Sequence, residues 1–174
     1  TAQVNALSTR QLSGLTTAQI TALETRDVVA LTTALIASMN SEQIGGFNTE
    51  QVANLTTAQL VAIETRDFTT MSTAQVSSIA TTAVSSITSE QVAALTTAQL
   101  SKLTTDQVAQ LSTAQVVSIE TRDIAGLTTA QIQAMTTAQV AALQTKQLAE
   151  MSTAQIAAIE TQDIAVLTTA QMAA

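Results

Sequence analysis

Cysteine, histidine, proline, tryptophan and tyrosine are all absent from this 174-residue chain. Without cysteine there is neither a disulfide framework nor a thiolate metal site, and without histidine the commonest metal ligand is missing. Four glycines are too few and too scattered for a phosphate-binding loop. Six basic residues stand against thirteen acidic ones, a net charge of −7. That balance leaves no phosphate-neutralising patch, so nucleic acid and anionic membrane surfaces are unfavourable partners. No run approaches the roughly 18 apolar residues of a membrane span. Serine and threonine are plentiful, but Lys102 and Lys146 stand alone and no hydroxyl has an evident activating base. The reading is of a chain that is not an enzyme, with no catalytic, cofactor-binding or metal residue and no evident small-molecule substrate.

What the chain does have is an eight-residue period. From Leu7 onward, 168 residues divide into 21 octads without insertion or deletion, the common form being LTTAQVAA. A short fixed period means one small unit stacked many times. The chain opens inside an octad, so residues 1–174 read as a single repeat array, a segment of a longer repetitive protein. Hydrophobic residues make up 46% of it. That is too high for a disordered chain.

Numbered 1 to 8, position 1 is Leu, Ile, Met or Phe in every octad, and position 6 is always a large apolar residue. Position 3 is Thr in 19 octads and Ser in two; position 5 is Gln in 15 and Asp in four. A continuous helix fails, because eight residues at about 100° each leave about 80° of drift per octad and the apolar stripe winds away. A continuous strand fails too, since apolar spacings of five and three send alternate rows to opposite faces. Short helices, one per octad, fit both. Position 6 and the next position 1 are three apart, neighbours on one helical face.

The start signal has two registers. With position 2 as N-cap, Thr or Ser there and Gln at position 5 form a capping box, with positions 1 and 6 as its hydrophobic staple. With position 3 as N-cap, its near-invariance is explained directly, and that register is favoured. Such helices are too short to persist alone. The predicted fold is therefore an all-α solenoid of very short helices, with two inward columns of apolar side chains and Thr and Gln on the rims. Small residues at positions 7 and 8 let one coil approach the next. The alternative is a β-solenoid with 16 residues per coil, which the scarcity of glycine, the absence of proline and the abundance of Ala and Gln disfavour.

Four octads carry an acidic variant: Glu24–Asp27, Glu64–Asp67, Glu120–Asp123 and Glu160–Asp163. They read as first-turn acceptors and local ion pairs on a solvated face rather than as a cation site. Gly45 and Gly46, before Phe47, read as space for the larger ring. Leu35 and Ala83, in place of the usual Gln, read as drift.

The string L-T-T-A-Q-[IVL]-x-A-L, as in Leu15–Leu23, resembles the Thr/Ala/Gln-rich octapeptide arrays of giant bacterial secreted or surface proteins, many described as adhesin-like or haem-utilisation-like. The resemblance implies an extracellular or cell-surface structural role. Haem ligation is not implied for this chain, which has no His, Cys or Tyr and keeps its five Met in the apolar columns. The leading expectation is a filament, sheath or spacer built by self-association. The alternative is a binding module, either an adhesin stalk or a Thr array that orders water or ice.

Overall fold

The computed structural model describes Val4 and residues 6–174. Among these the chain forms 21 helices of four to six residues, one per octad, and no strand. Each helix packs against the third helix onward. Thr49–Ala53 lies on Thr73–Ser78, and Ser89–Ala93 on Thr113–Ser118. The chain therefore winds as an all-α solenoid, as the octad period predicts.

The helix boundaries follow from position 2. Thr104 has extended backbone angles, φ −71° and ψ 158°, and its hydroxyl accepts the Gln107 N–H at 3.1 Å. Gln107 Oε1 in turn accepts the Thr104 N–H at 2.8 Å. This reciprocal box, which satisfies two of the orphan N–H groups of a helix start, closes fully in fourteen octads. At Gln144 only the half contributed by Gln147 forms, at 2.9 Å. Position 2 is thus the N-cap, and the favoured position-3 register is corrected: Thr at position 3 is the first helical residue. The helix ends after four to six residues, at the latest where position 1 turns extended, as at Leu111 with φ −61° and ψ 137°, and the next cap follows at once.

This assignment sets a test. Thr104→Ala is expected to cost about 1 kcal/mol, the usual loss of a side-chain cap. Thr105→Ala, one residue on, should cost less than half of that. Urea denaturation of the two variants distinguishes the registers.

The core is one continuous column structure. Position 6 is buried to 1% exposure or less from Leu12 through Val140, and position 1 is buried from Leu31 through Ile159. Only two apolar side chains per octad are large, so no octad buries enough surface alone. Adjacent coils must supply the rest.

Candidate functional site

The chemistry that joins one coil to the next sits at position 5. Gln91 is 1% exposed. Its Oε1 is held by the N-cap of its own helix, the Thr88 N–H at 2.8 Å. Its Nε2 donates backwards to Leu60 O at 3.0 Å and Ile63 O at 2.7 Å, 31 and 28 residues earlier. One side-chain amide therefore closes the start of one helix and the end of another a full turn below. Each helix contacts the third helix onward, and the amide reaches back 28 and 31 residues, so each turn takes between three and four octads.

The bond to the position-1 carbonyl recurs in all thirteen octads that have both a position-5 Gln and a residue 28 places before it. Its length stays between 2.6 and 2.9 Å. That carbonyl is the last of its helix turn and needs such a donor. The position-6 carbonyl is different, since it also accepts the N–H three residues on, as in Leu95 N–H to Val92 O at 3.1 Å.

Burial of the amides comes from stacking. Gln11 and Gln19, which have no earlier coil within the chain, are exposed, whereas Gln43 is 2% and Gln51 0% exposed. Gln at position 5 is therefore an inter-coil group, and its expected place on a rim is corrected.

The acidic octads replace this joint with another. Asp67, Asp123 and Asp163 are 1%, 5% and 3% exposed, so the expected solvated face is corrected as well. Each carboxylate accepts a position-3 hydroxyl 26 residues earlier: Ser41 to Asp67 at 2.5 Å, Thr137 to Asp163 at 2.6 Å, and Thr97 to Asp123. Arg66 and Arg122 flank Glu64 and Glu120, each at 2.8 Å, on the exposed side of the helix. These exposed pairs contribute little to stability. Here the cap carries Glu and makes no side-chain cap bond. Glu90, on a helix first turn elsewhere, has its carboxyl held below the usual carboxylate range by its own backbone N–H and then by the Thr88 hydroxyl. No group of three acidic side chains among the described residues is placed to hold a metal ion.

Position 8 meets position 3 of the preceding coil, and there two glycines fit closely. A Cβ on Gly126 would lie 2.9 Å from Thr97 O, and one on Gly46 would lie 3.2 Å from Thr17 O. The crowding at Gly46 includes Thr17 of the coil below. Gly126→Ala is expected to destabilise by about 1–3 kcal/mol through this backbone overlap. Gly45→Ala, in a helix and with its nearest contact at 3.8 Å, is expected to stabilise by about 0.5–1 kcal/mol. Paired thermal melts check the opposite signs. Leu35 and Ala83, 3% and 4% exposed in the glutamine column, fill the space with no donor to link the coils.

The ALTTAQ repeat model matches residues 1–25, 20–57, 60–97, 116–153 and 140–174, together well over half of the chain. The chain belongs to the ALTTAQ repeat family. The motif that names this repeat maps onto the joint just described: in Leu95–Leu100, Thr96 is the cap, Thr97 the residue facing the next coil, and Gln99 the amide that bridges to Phe68 O and Met71 O at 2.8 and 2.7 Å. No curated protein matches the chain, and no solved structure does. What the ALTTAQ unit conserves along this chain is thus a way of stacking, with one amide, one cap and two apolar side chains per step.

Proposed function

We propose that the chain is a structural array that forms or extends an extracellular or cell-surface filament, sheath or spacer. The observation that carries this reading is the sameness of the joint. Twelve glutamines repeat one pair of bonds from coil to coil, so the array has a translation along its axis with no step at which stacking must stop. The two faces of a coil are unlike and complementary, the arrangement that gives open-ended growth rather than closed rings when the rotation does not close. In this reading the chain is not an enzyme, carries no cofactor, and takes other copies of itself as partner rather than nucleic acid, membrane or a small molecule.

Negative-stain electron microscopy of the purified chain tests the proposal. Rods or filaments of uniform width that lengthen with concentration are the expected result. Monodisperse compact particles at every concentration would overturn the self-association in it.

A further inference from the structure

The octad Ile79–Ser86 lacks both of the polar bonds that secure the others. Its N-cap is Ala80, which makes no side-chain bond, and the Ala83 N–H turns to Ala80 O at 2.8 Å instead. Its helix, Thr81–Val84, is four residues long and three of them are β-branched, which lowers helix propensity. At position 5 stands Ala83, 4% exposed. It has no N–H to offer Leu55 O and Val52 O, the carbonyls 28 and 31 residues back that a glutamine bridges elsewhere. Other irregular octads keep one of the two bonds. Leu35 has no amide either, but Thr32 caps its helix at 3.2 Å. The Glu-capped octads of Asp67, Asp123 and Asp163 lack the cap bond, yet each carboxylate accepts a hydroxyl from the preceding coil.

The backbone shows the consequence. Of the described helices set three apart, Thr57–Ala62 and Thr81–Val84 pack most loosely. On its other side the octad is held normally, since Gln115 donates to Val84 O at 2.9 Å and to Ile87 O at 2.7 Å. The joints that flank Ala83 are also closed: Gln75 to Phe47 O and Gln91 to Ile63 O, each at 2.7 Å. We infer that the line between Thr57–Ala62 and Thr81–Val84 is a seam built into the stack, where neighbouring coils part first and about which the solenoid bends. With an amide joint closed on each side, parting there tilts one coil against the next and unwinds neither, which is the behaviour of a hinge. The inference rests on bonds within one chain and is independent of the self-association proposed above.

The chain has no cysteine, so spin labels can be placed on chosen pairs. Ala58 and Thr82 are exposed at position 4 on the two sides of the seam. Ala114 and Ala138 are the equivalent exposed pair on Thr113–Ser118 and Thr137–Ala142, which pack closely. Double electron–electron resonance on Ala58→Cys/Thr82→Cys is expected to give a distance distribution about twice as wide as that of Ala114→Cys/Ala138→Cys. Adding Ala80→Thr with Ala83→Gln, which restores cap and amide together, is expected to narrow the first distribution to the width of the second. Ala80→Thr alone, which repairs only the helix start, is expected to leave it wide. Both label pairs sit on exposed positions of the unrepaired chain, so their comparison decides the matter even where the repaired variant misfolds. Equal widths in the two pairs, or a wide distribution that Ala80→Thr alone narrows or that a folded repaired variant retains, would overturn the seam.

Discussion

Gln91→Glu is expected to lower stability by about 3–5 kcal/mol at neutral pH, the cost of leaving a buried charge without a partner. The substitution keeps the shape and the acceptor for Thr88, but it removes the donor shared by Leu60 O and Ile63 O and sets a carboxylate against two carbonyl oxygens. Burial and the two acceptors both favour the protonated acid, so its folded-state pKa lies above the unfolded value of about 4.3. The sign follows. The variant's stability relative to the parent is best below about pH 4 and is lost as pH rises through the raised pKa. Gln11→Glu, on an exposed amide with no earlier coil, is expected to stay within about 0.5 kcal/mol of the parent, because a capping box accepts Glu as readily as Gln. Urea titrations of both variants at acid and neutral pH check the contrast. Equal effects at the two positions would remove the amide from its place between coils.

Phe68→Ala should cost about 3–5 kcal/mol, the range for truncating a fully buried aromatic side chain. Phe68 is 0% exposed at position 6, in the middle of the column. Ile156→Ala, the same octad position but 39% exposed on the last coil, should cost under about 1.5 kcal/mol. One sequence position thus has two energetic outcomes, set by the size of the side chain and by whether a coil follows. Denaturant midpoints of the two variants read the difference directly. If Ile156→Ala cost as much as Phe68→Ala, position 6 would be buried by its own coil and stacking would add nothing.

Much of this architecture is legible in the octad itself. Period eight is incompatible with a straight helix or strand, and spacings of five and three place positions 6 and 1 on one side of a short helix. Those rows are the columns observed. The cap register was harder to read because both candidate residues are Thr or Ser in thirteen of the 21 octads. Counting variants pointed to position 3, whose near-invariance has another origin: Thr17 and Thr97 pack under Gly46 and Gly126 of the next coil, and the Thr97 and Thr137 hydroxyls bond Asp123 and Asp163. Tertiary contact between coils cannot be seen in one octad.

The burial of glutamine did leave a trace. A capping box takes Glu or Gln, yet no octad has Glu at position 5. Glu accepts as Gln does but has no N–H to donate. Its exclusion implies a required donor, and the bonds to carbonyls 28 and 31 residues back supply the reason. The acidic octads left a trace as well. Glu at position 2 coincides with Asp at position 5 in all four cases, a coupling that a purely solvated face does not demand. The hydroxyl that each described carboxylate accepts lies 26 residues away, beyond the reach of local pattern.

The inter-coil amide ladder is tested most directly by NMR of the glutamine side-chain amides. The account predicts slow solvent exchange for the Nε2 protons of Gln91, with contacts to Leu60 and Ile63, and free exchange for those of Gln11 in the monomer at low concentration. Uniformly fast exchange along the whole array, with no contact to residues 28 and 31 positions earlier, would contradict it.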